Sequence, residues 1–256
     1  MLELDVILTA LKKDEYSKIV IKSDEDYDFN VRNSCFILKK GDLLSYGEKN
    51  FTHKLEINDP IRIAETIYSR DNLLVYKKRS DITLIKFDGK KMREEVNQSS
   101  ALVKSIIKYS LNRIFSLGSS KVPYYFEDDF LHKFNAQLKR LNIERGEFLF
   151  SHGDSARRMY FIEKGAIKLS QESGNEIAVL GKGECFGESA ILQGTTRSLS
   201  AEIIEDTKLR IIGTDLIETE ILEQTGLVQI AAFGILRRLH FMNILRNPSK
   251  QNSDKE

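Results

Sequence analysis

The 256-residue chain is long enough for two domains of ordinary size, and its 41% hydrophobic and 30% charged residues exclude a disordered or membrane-embedded protein. Because 39 basic residues face 38 acidic ones, the net charge of +1 excludes a general field that would recruit nucleic acid or anionic membranes. The first residues mix acids with apolar side chains and lack the pattern of a secretory signal, so a cytoplasmic protein is expected.

The first half begins with a β-rich stretch in which short apolar runs alternate with turn residues. A helix follows, because Val103, Ile107, Leu111, Ile114 and Phe115 recur at helical spacing. The turn-rich segment from Gly118 to Pro123 ends this half. The residues after it predict a further helix, whose apolar stripe is Phe126, Phe130, Phe134, Leu138 and Leu141.

The second half repeats this plan. It predicts strands at residues 147–150, 158–163, 166–171, 176–180 and 208–212, and eight of the chain's 15 glycines lie between Gly146 and Gly194, where tight turns are needed. The last helix carries an apolar stripe that consists of Leu227, Ile230, Ala231, Ile235, Leu239 and Met242. The polar residues from Asn247 onward are expected to fray.

An internal duplication with an offset of 125 residues relates the two halves. The identities are Asp81, Leu84, Glu95, Leu102, Val103, Leu111 and Arg113, which fall on Asp206, Leu209, Glu220, Leu227, Val228, Leu236 and Arg238. The same offset places Phe36-Ile37 on Phe161-Ile162. A single-residue slip around Gly41 and Gly165 aligns the segments between. The duplication predicts two domains, residues 1–120 and 121–247, with a polar tail at residues 248–256.

The cysteines and histidines give no pattern for a metal site. Cys35 and Cys185 lie in apolar surroundings, which favours buried free thiols over a disulfide or a ligand pair. The four histidines are scattered along the chain. An enzyme of the cupin type, which needs clustered histidines and a carboxylate for its metal, is therefore disfavoured.

Residues 184–202 carry the chemistry of an anion site. Gly187 lets the backbone approach a ligand, and a one-turn helix predicted from Glu188 to Leu192 points its free amides at an anion. Arg197 can bridge two phosphate oxygens and Ser198 adds a donor, while Glu188 can accept from a sugar hydroxyl. One carboxylate for a sugar and one guanidinium for a phosphate indicate a nucleotide.

The order Phe186-Gly187-Glu188, then Ala190, then Arg197-Ser198 resembles the phosphate-binding cassette of cyclic-nucleotide-binding domains. These domains occur in catabolite activator protein, kinase regulatory subunits and nucleotide-gated channels. The resemblance covers roughly residues 140 to 245 and extends weakly to the first half. It implies an α+β, mainly β protein with two tandem double-stranded β-helix (jelly-roll-like) barrels, each followed by helices.

The resemblance also implies the ligand, cAMP or cGMP, with the cyclic phosphate at Arg197 and the ribose 2′-hydroxyl at Glu188. The predicted ligand-binding residues are Phe186, Gly187, Glu188, Ser189, Ala190, Arg197 and Ser198. Phe233 and Phe241 are candidates for a lid over the base. Two residues depart from the family pattern: Ser189 replaces an aliphatic residue, and Leu199 replaces a small one and would crowd the phosphate.

The first half lacks residues equivalent to those of the predicted nucleotide site. The 125-residue offset places Arg62 at the Gly187 position, Ile63 at Glu188 and Asn72 at Arg197, and the spacing of Glu65 and Arg70 is too short to form a cassette. The first domain is therefore predicted to be a degenerate, ligand-free copy. The Lys77-Lys78-Arg79 and Arg237-Arg238 clusters are interpreted as solvated faces.

Three function classes follow from these patterns. A transcription factor of the catabolite-activator type needs a DNA-binding domain after the barrel, where only a short tail follows, and an enzyme lacks its metal residues. We therefore predict a non-enzymatic regulatory protein that binds a cyclic nucleotide in its C-terminal barrel and signals to an unidentified protein effector through its closing helices. The alternative is a ligand-independent scaffold or dimerisation module, and a homodimer stays open.

Overall fold

A computed structural model describes residues 3–46, 52–70, 74–115, 134–135, 138–188 and 196–245, with the backbone alone for residues 241–245. The chain divides into two compact units. The first unit consists of Glu3–Ser100 and Leu222–Arg238, and the second unit consists of Ala101–Ile221 and the chain from Leu239. Each unit thus includes a segment from the other half of the sequence. The predicted boundary near residue 120 lies outside the described residues and stays a prediction.

The first half contains seven described strands and four described helices. The strands are β1 (Tyr16–Ile21), β2 (Ser34–Lys40), β3 (Leu43–Tyr46), β4 (Thr52–Lys54), β5 (Pro60–Ile61), β6 (Val75–Lys78) and β7 (Ile82–Asp88). The helices are α1 (Leu4–Thr9), α2 (Ile63–Tyr68), α3 (Gly89–Gln98) and α4 (Ala101–Phe115).

The second half contains eight described strands and two described helices. The strands are β8 (Lys139–Ile143), β9 (Phe148–Phe150), β10 (Arg158–Lys164), β11 (Ile167–Ser170), β12 (Glu176–Leu180), β13 (Cys185–Phe186), β14 (Ser200–Ile203) and β15 (Thr207–Gly213). The helices are α5 (Thr214–Leu222) and α6 (Gly226–Leu245). The strands predicted in this half and the last helix are confirmed to within two residues.

The strands pair in the same order in both units. The first unit has sheets β1-β7-β2-β5 and β4-β3-β6, and the second has β8-β15-β10-β13 and β12-β11-β14-β9, all antiparallel. The two copies of the predicted duplication therefore share their strand order, apart from β9, which is an additional strand at the edge of the second unit's sheet. A mainly β protein is confirmed, whereas the described strands close no barrel, and the double-stranded β-helix topology stays a prediction.

The single-residue slip predicted around Gly41 and Gly165 is not a difference between the two backbones. Phe36 pairs with Lys86 as Tyr160 pairs with Ile211, so β2 and β10 already correspond one residue out of step with the 125-residue offset before the glycines are reached. The register of β2 against β7 shifts between Leu38 and Lys40, and that of β10 against β15 shifts in the same way just before Gly165. Both glycines have positive φ, and an added Cβ would lie 2.2 Å and 2.6 Å from the carbonyl oxygens of Asp81 and Asp206. Each copy therefore contains the same bulge, and the residue that follows the bulge must be glycine.

Apolar side chains form a separate core in each unit. In the first unit the core is built from Ile21, Phe29, Phe36, Leu38, Leu43, Leu55, Ile61, Ile82 and Leu84. In the second it is built from Tyr160, Ile162, Ile167, Leu169, Leu180, Phe186, Leu199, Ala201, Ile203 and Leu209. Cys35 and Cys185 are buried free thiols, as predicted, and burial raises the pKa of Cys35 to about 12.

The helix predicted to carry a stripe from Phe126 to Leu141 does not extend to Leu141. Residues 139–143 form β8 instead, which pairs antiparallel with β15. Leu141 and Ile143 alternate with polar residues and so suit a half-buried strand, and β15 offers its backbone as a partner. The earlier part of the stripe lies largely outside the described residues.

The interpretation of Arg237 and Arg238 as a solvated face is wrong. The Arg238 Nη1 lies 2.5 Å from the Glu65 Oε1, and Glu65 is completely buried. The Arg237 Nε donates to the Asp59 Oδ1 at 2.6 Å. Both arginines therefore attach this part of α6 to the rest of the first unit, at α2 and at the turn before β5. No helix within the described residues is both long enough and apolar enough to cross a bilayer.

Candidate anion pocket in the second unit

The pocket begins where β13 ends. Phe186 pairs with Tyr160 on β10, and Gly187 then turns the chain with φ of 83°. A Cβ at Gly187 would lie 2.7 Å from the Arg197 Nη1 and 2.9 Å from the Arg158 carbonyl oxygen. Both the backbone angle and this close approach therefore require glycine at position 187.

Arg197 is a buried cation with one unused donor. Only 4% of the residue is exposed. Its Nη2 donates to the Arg158 carbonyl at 2.8 Å and its Nη1 to the Gly187 carbonyl at 3.4 Å. The guanidinium carbon lies 4.1 Å from the centroid of the Phe150 ring, a cation–π contact. Among the described residues, the buried Nε finds no hydrogen-bond partner.

The backbone around Arg197 is fixed on both sides. Its amide donates to the Asp154 carbonyl at 2.8 Å, and its own carbonyl accepts from the Gly153 amide at 2.9 Å. Burial lowers the pKa of Arg197, although the neighbouring Tyr160 and Glu188 oppose this shift. Because arginine ordinarily titrates far above neutral pH, the side chain remains a cation.

Glu188 is the buried acid of the pocket. Only 3% of the residue is exposed, and the Nη1 of Arg113 on α4 lies 3.3 Å from its Oε1 and 3.4 Å from its Oε2. Burial alone would lower the pKa of Arg113, but the charges of Glu188 and Tyr109 outweigh burial and raise it. Arg113 is therefore held as a cation beside Glu188 inside the second unit.

These groups border one open cleft with about 330 Å³ of empty volume. The lining residues are Arg113, Phe150, Leu169, Phe186, Gly187, Glu188, Arg197, Ser198 and Leu199. Two guanidinium groups and a carboxylate thus face an otherwise apolar cleft, an arrangement suited to an anion that also carries a hydroxyl group.

Five of the predicted ligand-binding residues meet in this cleft: Phe186, Gly187, Glu188, Arg197 and Ser198. Ser189 and Ala190 lie outside the described residues. Of the helix predicted from Glu188 to Leu192, only Glu188 is described. Of the two lid candidates, Phe233 is buried within the first unit and is not among the residues that line the cleft. The side chain of Phe241 lies outside the described residues. The binding and lid roles stay predictions.

Sequence reasoning missed Arg113 and Phe150, which also line the cleft. Arg113 had one signal, since the duplication aligns it with Arg238 within an otherwise apolar helical stripe. Leu199, expected to crowd the phosphate, does line the cleft and is otherwise packed in the core. The carbonyl of Cys185 accepts from the Tyr109 hydroxyl of α4, a contact that no sequence pattern indicated.

The equivalent position of the first unit is filled by a side chain. Arg62 corresponds to Gly187 and is 6% exposed. Its Nη1 donates to the carbonyls of Phe29 and Val31 at 2.8 Å and 2.9 Å. In the first unit an arginine therefore lies buried at the place where the second unit has an open cleft. In the described portion of the chain, no group of three histidine, cysteine or acidic residues is arranged to hold a metal ion.

The second unit is a two-sheet β domain whose cleft is lined by the buried Arg197 and Glu188. Residues 140–223 match the model of the family described as cyclic nucleotide-binding domain. The resemblance based on Phe186 to Glu188 and on Arg197-Ser198 is thereby confirmed for this segment.

Three similar proteins illustrate the family match. A putative potassium channel protein of Rhodopseudomonas palustris is 37% identical over 83 residues, which are 31% of this chain and 20% of that protein. The cyclic AMP receptor protein of Thermus thermophilus is 38% identical over 76 residues, 28% of this chain and 35% of that protein. The chain thus spans about a fifth and about a third of these relatives.

The third is a solved structure, the EAL enzyme Bd1971 in its cAMP-bound form. It is 31% identical and has a TM-score of 0.39, and the match covers 42% of this chain and 30% of that chain.

Proposed function

We propose that this protein is a non-enzymatic regulatory protein that binds a cyclic nucleotide, cAMP or cGMP, in the cleft of its second unit. The observation that carries the proposal is the buried Nε of Arg197, which has no hydrogen-bond partner among the residues that the structure describes. A buried donor without a partner costs roughly 1 to 3 kcal/mol, and an anionic oxygen in the cleft removes this cost. The family of residues 140–223 supports the nature of that anion.

The proposed phosphate site lies against Arg197. Its guanidinium is held by two backbone carbonyls and by the Phe150 ring, so little side-chain freedom is left to lose when a phosphate binds. A cyclic phosphate carries a single negative charge, and one arginine suffices to neutralise it. The apolar walls at Leu169 and Phe186 suit the uncharged faces of the sugar and base.

The proposed ribose site lies at Glu188. Its carboxylate faces the cleft and, when ionised, accepts hydrogen bonds only, which suits a sugar hydroxyl and disfavours a second phosphate group. A linear nucleotide, which carries more than one negative charge on its phosphate, would meet repulsion from this carboxylate. The proposal therefore includes a preference for cyclic over linear nucleotides.

The remaining parts of the proposal concern the chain around the cleft. The bound nucleotide shifts the packing of the helices on the sheets, and an unidentified protein effector reads that shift. The two units adopt jelly-roll-like topology, and the first binds no ligand. A homodimer and a cytoplasmic location remain parts of the proposal that rest on the sequence alone.

Isothermal titration of the purified chain with cAMP, cGMP and 5′-AMP tests the proposal. We expect saturable binding of at least one cyclic nucleotide and much weaker binding of 5′-AMP. A cyclic dinucleotide serves as a further probe of the ligand class. If neither cAMP nor cGMP binds at millimolar concentration, the alternative of a ligand-independent scaffold replaces the proposal.

A further inference from the structure

Helix α4 belongs to the second unit, although its sequence closes the first half of the chain. Two of its side chains, one helical turn apart, contact the segment that forms the cleft. The Tyr109 hydroxyl donates to the Cys185 carbonyl, and the Arg113 guanidinium pairs with Glu188. These contacts lie on either side of Gly187, so one face of α4 holds both ends of the turn on which the cleft is built.

The pairing between Arg113 and Glu188 uses a single nitrogen of the guanidinium. That nitrogen, Nη1, lies 3.3 Å and 3.4 Å from the two carboxylate oxygens, so the contact is a long, shared one. Arg113 therefore contacts both oxygens of the carboxylate that is proposed to bind the ribose.

Removing Arg113 would change the state of Glu188. The side chain of Arg113 is only 14% exposed and that of Glu188 only 4%, so neither charge is well solvated. A buried carboxylate without its cation loses the partner that fixes its orientation. A misplaced Glu188 is a poorer acceptor for a hydroxyl.

We propose that Arg113 is a positioning residue for nucleotide binding, which acts through Glu188 and thereby links occupancy of the cleft to the docking of α4. This inference rests on the proposed function and deepens it. It differs from the sequence-based expectation, in which the helices after the second set of strands respond to the ligand. The helix that contacts the acid comes before those strands.

The first unit supplies a matched control. Arg238 is the counterpart of Arg113 in the duplication, and it pairs with the buried Glu65 at 2.5 Å. Arg238 is not among the residues that line the cleft of the second unit. Arg238→Ala therefore removes an arginine of the same kind, from the same kind of pair, without touching Glu188.

The first experiment measures dissociation constants of cAMP and 2′-deoxy-cAMP for the full chain and for Arg113→Ala, Arg113→Lys and Arg238→Ala. We expect Arg113→Ala to raise the dissociation constant of cAMP by roughly 10- to 100-fold, the range for a hydrogen bond to a charged group. The dissociation constant of 2′-deoxy-cAMP should change little. Arg113→Lys should recover part of the loss because it keeps the charge. Arg238→Ala should bind both nucleotides normally.

The outcomes separate the inference from the proposed function. Equal weakening of both nucleotides, or none, overturns the role of Arg113 while the proposed function stands. If the unmodified chain binds neither cAMP nor cGMP, both fail together. Should Arg113→Ala not fold, Arg113→Lys gives the same comparison, with a smaller loss expected for cAMP than for the alanine variant but still none for 2′-deoxy-cAMP.

Hydrogen exchange on the unmodified chain tests the link to α4. We expect saturating cAMP to slow amide exchange in α4 by roughly 5-fold or more, the lower limit of a typical coupling, and to leave α3 unchanged. Unchanged exchange in α4, with cAMP bound, overturns the link between the cleft and this helix.

Discussion

Arg62 and Gly187 stand at equivalent positions of the two sequence halves, and both have a left-handed backbone, with φ of 63° and 83°. In the second unit the missing Cβ leaves room for Arg197. In the first unit a buried side chain extends from the same position and donates to two carbonyls. Both copies therefore share the left-handed turn, but the neighbouring space holds the Arg197 guanidinium in the second unit, whereas in the first unit the Arg62 side chain extends from the turn itself.

Gly187→Ala should weaken nucleotide binding and lower stability. The new Cβ would come within 2.7 Å of the Arg197 Nη1 and 2.9 Å of the Arg158 carbonyl, so the guanidinium must leave its position. The left-handed backbone adds a cost of about 1 to 3 kcal/mol for a non-glycine residue. Titration calorimetry and a thermal melt measure the two effects.

Gly183→Ala is the control for that substitution. Gly183 has φ of 89°, close to that of Gly187, but an added Cβ would meet nothing within 4 Å. It should therefore lose stability through its backbone while the dissociation constant stays unchanged. Equal losses of affinity in both variants would show that contact with Arg197 is not the cause.

Arg197→Ala should abolish nucleotide binding, because an enclosed phosphate loses a charge-assisted contact worth about 2 to 5 kcal/mol. Arg197→Lys should recover little, since lysine keeps the charge but lacks the planar fork that the two carbonyls hold. Arg210→Ala is the control, because Arg210 is also buried but does not line the cleft. The Nε of Arg210 pairs with the Glu163 Oε1 at 2.6 Å. An unchanged dissociation constant in Arg197→Ala would place the phosphate elsewhere.

One nucleotide should bind per chain. The first unit has a buried Arg62 at the Gly187 position, and Ile63 stands where the second unit has Glu188. Neither can accept from a ribose hydroxyl. The stoichiometry from calorimetry checks this expectation. Two equivalent sites would mean that the first unit is misinterpreted, and none would favour the scaffold.

Much of the fold could be predicted because its elements have a single consistent period. The stripe of α4 and the strand period of β15 both agree with the buried positions. At Leu141 the apolar residues fit a helix stripe and a strand equally, and only pairing with β15 decides between them. Patterns along the chain do not reveal such partners.

The candidate site, like the fold, could be predicted only in part. Residues 186–188 and 197–198 could be predicted because they are close in sequence and carry the chemistry themselves. Arg113 lies 75 residues before Glu188, in a helix that the sequence assigns to the other half. Its role depends on which unit α4 packs against, which is settled by tertiary contacts that no local pattern shows.

The buried pair of Glu65 and Arg238 should matter for stability and not for binding. Removing one partner of a buried ion pair leaves an uncompensated charge and costs about 3 to 5 kcal/mol, so Glu65→Ala should unfold at lower urea concentration. Replacing both residues by leucine should recover most of the loss. Cyclic AMP affinity should be unchanged in both variants. A single variant as stable as the wild type would contradict the role of the pair.

Asp59 should make stability depend on pH in the acid range. Its carboxylate accepts from the Arg237 Nε at 2.6 Å and from the Glu56 amide at 2.8 Å. Burial would raise the pKa of Asp59, but the contacts with His53 and Arg237 outweigh burial and lower it. The folded pKa thus lies below the unfolded value of about 3.9.

A lowered pKa means that the ionised carboxylate stabilises the fold above the unfolded pKa, and that this stabilisation is lost as pH falls through the folded pKa. Asp59→Asn should therefore be less stable than the wild type by a constant margin from pH 7 to about 5, and the margin should shrink below about pH 4. Urea unfolding across this range measures it. Asp5→Asn, at an exposed pair with Lys39, should show almost no margin because surface pairs contribute about 0 to 1 kcal/mol. A margin for Asp59→Asn that persists undiminished at the lowest pH would mean that the side chain acts through its shape rather than its charge.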